Sequence, residues 1–254
     1  MSDETRPAGD GARTAAVIPA AGRGVRLGPG APKALRALNG TPMLVHAVRA
    51  MAASRHVSLV VVVAPPDGEA EVKGLLADHA LPDRTDLLVV PGGDTRQESV
   101  KRGLDAVQAV QADDGIDIVL VHDAARPLVP VDTVDAVIET VRDGAPAVVP
   151  ALPLADTVKE VEPRTDGGPE PVVATPPRAR LRAVQTPQGF DRATLVRAHD
   201  TVTDDVTDDA SMVERLGLQV VLVPGHEEAF KVTRPLDLVL AEAVLARRRA
   251  NDGF

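Results

Sequence analysis

Between positions 57 and 64 the chain reads Val-Ser-Leu-Val-Val-Val-Val-Ala, with one polar residue in eight. Side chains of a strand alternate between faces, so this segment offers apolar surface to both and has to be covered on both. A sheet buried on both faces is a parallel sheet with helices above and below it. Shorter runs of the same kind recur at 15–18, 87–90 and 116–121. Segments of helical character lie between them. Thr41 reads as an N-cap with Pro42 at the first helical position, opening a helix to about Ser54 that buries Leu44, Val48 and Met51. A polar helix follows around 69–78, and Asp94 or Thr95 caps another that runs to about Ala112. This alternation predicts an α/β fold with a mostly parallel twisted sheet flanked by helices.

The chain of 254 residues is long enough for a substantial core. Its aromatic residues are only Phe190, Phe230 and Phe254, so Val, Leu, Ala and Ile must fill that core. Without cysteine there is neither a disulfide framework nor a thiolate metal site. The 28 basic and 37 acidic residues leave a net charge of −9, which argues against general nucleic-acid binding. Residues 1–13 are polar, lack the apolar stretch of a signal peptide and read as a disordered tail. No apolar run reaches the length of a membrane span. Residues 14–250 read as a single domain, expected in the cytoplasm.

After a helix at 131–141 and a strand at 147–149 the alternation breaks. Two short β-prone runs around Gly167-Gly168 make a hairpin within an arm of about residues 153–180. It carries too little apolar surface to fold alone, so it packs on a second subunit or is a surface insertion. A helix at 192–199 follows, then one capped by residues 207–211 that runs through Leu216, and a strand at 219–223. An amphipathic helix over about 236–247 closes the chain. Its Arg247-Arg248-Arg249 end reads as a cationic terminus answering the helix dipole.

Chemistry concentrates where strands end. Directly after the first strand come Pro19-Ala20-Ala21-Gly22-Arg23-Gly24-Val25-Arg26-Leu27-Gly28-Pro29-Gly30-Ala31-Pro32-Lys33. In an open α/β sheet this is where anionic ligands bind, and the glycines let the main chain approach a phosphate. The third glycine falls one residue late for a dinucleotide fingerprint, and Pro29 and Pro32 interrupt the helix that fingerprint needs. Lys33 is followed by Ala34, so this is not a P-loop either. Three cations directly after a buried strand favour phosphate binding over a loop that is merely soluble. The loop at 91–99 again follows a strand. It offers backbone donors at a helix N-terminus, or is an ordinary tight turn. The third strand end reads His122-Asp123-Ala124-Ala125-Arg126-Pro127. Asp123 is placed there to hold a hydrated Mg²⁺ on nucleotide phosphates, or to cap the next turn or pair with Arg126. His122 reads as a hydrogen-bonded structural imidazole.

Taken together, five motifs resemble the 2-C-methyl-D-erythritol 4-phosphate cytidylyltransferase family, from about Thr14 to Arg247. They are Pro-Ala-Ala-Gly-x-Gly-x-Arg…Pro-Lys at 19–33, Gly-Gly-Asp-x-Arg-x-x-Ser at 92–99 and Val-His-Asp-Ala-Ala-Arg-Pro at 121–127. The others are Thr-Pro-Gln at 186–188 with Thr-Asp-Asp-Ala-Ser at 207–211, and Lys-Val-Thr-Arg-Pro at 231–235. The first alone marks only a nucleotidyltransferase of the sugar-nucleotide type, whereas the joint set is specific. The resemblance implies a Rossmann-like nucleotidyltransferase fold, a homodimer joined through the hairpin arm, and transfer of CMP from CTP to the substrate phosphate with release of pyrophosphate. It implies that Arg26, Lys33 and Lys231 are the catalytic cations on the phosphates. Ala20, Ala21, Gly22, Gly24, Gly93, Asp94, Ser99 and Ala124 match nucleotide-binding positions, and Asp123 the Mg²⁺ ligand. Thr157 and Arg178 match arm residues that reach the partner subunit's substrate, while Thr207 and Arg126 match the substrate pocket. Two departures lie on the substrate side: Arg178 sits in Pro-Pro-Arg where an acidic residue often precedes it, and Ala229 stands where Asn is frequent.

The chemistry suits these residue types. A phosphate monoester has a second pKa near ~6, so it is largely dianionic at neutral pH and needs no general base. No His-Asp or Cys-His constellation is expected. What the reaction needs is cations that bring two polyanions together and stabilise charge at the α-phosphorus. A ribitol 5-phosphate cytidylyltransferase would carry the same phosphate machinery. A non-catalytic nucleotide sensor has little need of so many cations. A nicotinamide oxidoreductase is disfavoured by the misplaced glycine and by Val63-Ala64-Pro65, which ends the second strand without an acid.

Overall fold

The computed structural model describes residues 13–22, 32–79, 81–82, 84–110, 115–203 and 206–251. The valine run is β4 (Val57–Ala64), buried at every position but Ser58. It pairs in parallel with β1 (Arg13–Pro19) on one side and β5 (Asp86–Pro91) on the other. β1 pairs in parallel with β6 (Ile116–Val121). Arg13 is part of β1, so the fold starts one residue before the expected boundary; residues 1–12 lie outside the described residues.

The two faces of β4 divide the core as the alternation requires. Val60, Val62 and Ala64 pack with α1 (Met43–Ala53), α2 (Glu69–Ala77) and α4 (Val131–Arg142) through Leu44, Val48, Met51, Val72 and Val137. Leu59, Val61 and Val63 pack with α3 (Arg96–Val110), α5 (Arg192–Thr201) and α6 (Asp209–Arg215) through Val100, Leu104, Leu195 and Met212. A third cluster seats α7 (Pro235–Asn251) against Leu38, Met43 and Leu128 through Ala241 and Val244, joined by Val232 from the segment before the helix.

Two local expectations are corrected. Asn39 and Gly40 both have positive φ, 49° and 80°, the turn that folds a two-residue hairpin. It pairs β2 (Ala37–Leu38) with β3 (Thr41–Pro42), so Thr41 is a strand residue opposite Leu38 and not the N-cap of α1. Pro42 takes that place, and no side chain caps the helix. The expected end of α3 near Ala112 lies outside the described residues; the helix is described to Val110. At its start Thr95 Oγ1 accepts from the Glu98 N–H at 3.1 Å, while the Glu98 carboxylate accepts from the amides of Asp94 at 2.7 Å and Thr95 at 3.2 Å. This reciprocal Thr-x-x-Glu capping box was readable in the sequence.

The sheet is extended on the β6 side by strands that depart from the parallel pattern. β7 (Ala147–Pro153) pairs in parallel with β12 (Val220–Pro224). β11 (Gln188–Asp191) runs antiparallel between β6 and β7, and β10 (Arg182–Val184) lies antiparallel to the end of β7. The arm appears as expected. β8 (Glu160–Val161) and β9 (Val172–Ala174) form a separate antiparallel pair, with Val172 and Val173 57% and 64% exposed. Among the described residues no helix is long and apolar enough to cross a membrane.

Candidate active site

β1, β4, β5 and β6 run the same way, so their carboxyl ends meet at one edge, and a cavity of about 310 Å³ lies there. Three main-chain bonds continue the ladder one residue past the strands and fix where the loops begin. Ala20 N–H donates to Val63 O at 2.8 Å, Gly92 N–H to Ala64 O at 2.7 Å, and His122 N–H to Val17 O at 2.9 Å. At Gly92 a Cβ would sit 2.7 Å from Ala64 O, so only glycine allows this loop to leave the sheet so closely. Ala20, Ala21 and Gly22 line the cavity just after β1, Gly93 and Asp94 from the loop after β5, Ser99 from the first turn of α3, and Asp123 and Ala124 from the tip of β6. Lys33, from a single 3₁₀ turn, and Lys231, from the segment before α7, add two cations.

Lys231 is held from both sides. Arg126 donates through Nη1 to Ala229 O at 2.7 Å, and Val232 N–H donates to Ala125 O at 2.8 Å. Between these clamps the Lys231 ammonium meets the Asp123 carboxylate at 2.7 Å. Burial alone would push the Asp123 carboxyl up, but Lys231, Arg96 and Arg126 together hold it below the usual range. Arg126 also donates to Val184 O at 3.2 Å, and its Nε lies 3.9 Å from Asp123. It does not line the cavity; its guanidinium positions the segment that carries Lys231.

Beneath Asp123 a small network fixes the main chain. Asp123 N–H donates to Thr186 Oγ1 at 3.0 Å, and Thr186 Oγ1 lies 3.0 Å from His122 Nδ1. His122 Nε2 lies 3.1 Å from Arg126 O. One protonation state satisfies all three: Nε2 carries the proton and donates to Arg126 O, while Nδ1 accepts from the threonine hydroxyl. Burial pushes the fully buried His122 down to about 4. The unfolded imidazole titrates near ~6.5, so it binds more protons than the folded one as the pH falls from there to about 4. Stability from this group is therefore complete above that window and is lost through it, by about 2 kcal/mol between about pH 7 and pH 5. His46, also held down by burial, adds a slope of the same sign. The expected outcome is that His122→Asn, whatever its own stability, shows a smaller drop in urea-unfolding free energy over that interval. Equal slopes would remove His122 as the titrating group.

A second chain of contacts approaches from the opposite wall. Arg96 lines the cavity and meets Asp209 at 2.7 Å; Asp209 is 1% exposed and accepts at 3.0 Å from His199 Nε2. Burial favours neutral Asp209, but His199 and Arg96 outweigh it and hold the carboxyl low. Arg96 is the arginine of the Gly-Gly-Asp-x-Arg-x-x-Ser motif, and its place in the site shows only in the fold. The 207–211 run contributes to this wall through Asp209, whereas Thr207 is exposed and does not line the cavity. Gln188 ties that run to the Thr-Pro-Gln motif. Its Nε2 donates to Asp208 at 2.7 Å, and its Oε1 accepts from Ala210 N–H at 3.1 Å.

Ten of the expected site residues thus line one cavity: Ala20, Ala21, Gly22, Lys33, Gly93, Asp94, Ser99, Asp123, Ala124 and Lys231. Gly24 and Arg26 lie outside the described residues. Thr157 and Arg178 are exposed on the arm and do not line it; Arg178 donates to Ala155 O within the arm. The loop at 91–99 is a capped turn whose Asp94 and Thr95 amides are taken by Glu98, so side chains supply the positive charge there. Thr95, Arg96 and Thr233 line the cavity without having been foreseen.

The IspD family, described as 2-C-methyl-D-erythritol 4-phosphate cytidylyltransferase, matches residues 14–247 of this chain. The chain is 84% identical over 255 aligned positions to a protein of that name from Streptomyces avermitilis, with all of both chains covered. It is similar to the crystal structure of 2-C-methyl-D-erythritol 4-phosphate cytidylyltransferase from Thermus thermophilus, at 35% identity and a TM-score of 0.67, covering 90% of this chain and 97% of that one. It is also similar to 4-diphosphocytidyl-2C-methyl-D-erythritol synthase from Anaerococcus prevotii, at 27% identity and a TM-score of 0.75, covering 93% and 100%. The cationic cavity at the carboxyl edge of this sheet is therefore that of a chain belonging to the 2-C-methyl-D-erythritol 4-phosphate cytidylyltransferase family.

Proposed function

We propose that the chain transfers CMP from CTP to 2-C-methyl-D-erythritol 4-phosphate, giving 4-diphosphocytidyl-2-C-methyl-D-erythritol and pyrophosphate. The observation that carries this reading is the convergence of Lys33, Lys231 and Arg96 on one cavity beside the Asp123 carboxylate. Two polyanions meet there. The attacking phosphate is already ionised, and the one imidazole beside Asp123 is buried, held near 4 and committed to hydrogen bonds. Lys33 and Lys231 pair with the triphosphate and with charge developing on the leaving pyrophosphate. The Pro-Ala-Ala-Gly-x-Gly-x-Arg motif assigns Arg26 the same role. The small side chains of Ala20, Ala21 and Gly22 leave the main chain open to the nucleotide.

Asp123 fits a Mg²⁺ ion. Among the described residues no three His, Asp or Glu are grouped to hold a metal, so a protein cage is not on offer. A single carboxylate suits Mg²⁺, which keeps waters and takes its other ligands from phosphates. Bound there, the ion would neutralise phosphate charge. Asp123 would then exchange its contact with Lys231 for the ion and leave the ammonium to the phosphates. Thr157 and Arg178 reach the methylerythritol phosphate in a homodimer, whose arm crosses to the partner's cavity, with Thr207 on the substrate side.

Pyrophosphate release from CTP and Mg²⁺, run in parallel with methylerythritol 4-phosphate and ribitol 5-phosphate, tests the reading. Release with the first alone is expected. Release with ribitol 5-phosphate alone would keep the phosphate chemistry and overturn the substrate, and CTP binding without release would overturn catalysis.

A further inference from the structure

A second, larger cavity of about 780 Å³ lies between α1, the 127–131 turn and the C-terminal end of α7, and shares no lining residue with the first. Its walls are cationic. Arg49 comes from α1, Arg247 and Arg248 from α7, and His46 and His226 complete the rim. Among the described residues Glu228 is the only acid lining it, gripped by both Arg247 and Arg248. Burial would push the Glu228 carboxyl up, yet the two guanidinium groups hold it low. Arg49 has no ion pair among the described residues and keeps its guanidinium for the groove. Among the described lining residues, three guanidinium groups against one carboxylate leave an excess of two positive charges in a chain whose net charge is −9. Such a local reversal of sign draws small anions.

The backbone of α4 borders the same space. α4 is 12 residues long and starts at the groove with Pro130 in the N-cap position, and no side chain caps it. Asp132 in its first turn answers the positive end of the dipole, so the guanidinium groups carry the charge of this space. Burial lowers the affinity of His46 for a proton; its bond to Leu38 O opposes this, and the charges of Arg49, Arg249 and Arg248 lower it further.

We infer that this groove binds a small phosphorylated metabolite, its phosphate or diphosphate gripped by Arg49, Arg247 and Arg248. The planar forks of arginine match phosphate oxygens in pairs, which favours phosphate over a singly charged carboxylate. The volume is that of an organic ligand site, larger than a bare ion needs. The anion competes with Glu228 for two of the three arginines, so binding is tunable through one carboxylate.

The test is a titration of the full chain with inorganic tripolyphosphate, followed on ¹³C-labelled imidazoles. Two histidines line this groove and none lines the active cavity, so His46 and His226 report this site alone. Saturable shifts of both signals are expected, weakened at least tenfold in the Arg49→Gln/Arg247→Gln double variant and strengthened in Glu228→Gln. The buried His122 and His199 signals check that each variant is folded. Unmoved His46 and His226 signals, a response that never saturates, or a midpoint unchanged in the double variant would each overturn the assignment.

Discussion

Lys33→Ala is expected to lower kcat for pyrophosphate release by about 10²–10³, the usual cost of losing one pre-placed charge at a developing anion. Stability should hardly move. The turn that carries Lys33 is held by its main chain, with Leu35 N–H donating to Pro32 O at 2.9 Å and Arg36 N–H to Lys33 O at 3.2 Å. Side-chain truncation leaves both bonds intact, and a partly exposed position of this kind changes stability within about 0.5 kcal/mol. The informative split is between kcat and KM. A cation that acted only on bound CTP would raise KM and spare kcat. Steady-state rates at saturating CTP, with thermal unfolding in parallel, measure it. Turnover equal to that of the parent chain would remove Lys33 from the chemistry and leave Lys231 as the principal described cation.

Phe190→Ala is expected to cost about 3–5 kcal/mol of folding free energy, against the roughly 5–15 kcal/mol that a domain commonly has in all. Phe190 is fully buried in β11, in register with Val119 of β6 on one side and Ala147 of β7 on the other. It belongs to the core cluster that also holds Leu195 and Met212. Among the described residues Phe190 is the only phenylalanine in this cluster, so no second phenyl ring is at hand to fill the space it leaves. Urea unfolding should show a lower midpoint at an unchanged slope, and Phe190→Leu should recover most of the loss. A cost below about 1 kcal/mol for the alanine variant would mean that the aliphatic neighbours collapse onto the gap.

The part of the fold that could be read in advance is the part governed by local pattern. β1, β4, β5 and β6 announced themselves because both their faces are apolar, and the motifs at their tips follow from where they stop. β11 did not, because its four residues, Gln-Gly-Phe-Asp, look like a loop. Its strand character comes from neighbours on both sides and not from its own composition. Thr41 was misassigned because the Asn39-Gly40 hairpin uses it first. In the site, Lys33 and Asp123 were legible as charges after strand ends, and Lys231 through the Lys-Val-Thr-Arg-Pro motif that carries the family resemblance. Arg96 was not, because its orientation depends on Asp209, which lies 113 residues further along the chain. The placing of Lys231 likewise depends on Arg126 reaching Ala229, a long-range bond that sequence spacing does not encode.

The arm has a consequence for how this protein can change. Its two strands pair with each other in a sheet of their own, and its residues from 155 to 160 and 171 to 175 are exposed throughout. Mutations there leave the sheet and its helices untouched, so the arm can drift or be exchanged at little cost to folding. If the arm selects the phosphate acceptor, as proposed above, a lineage could explore new acceptors on an inherited nucleotide site, with selection acting on one tip of the molecule at a time.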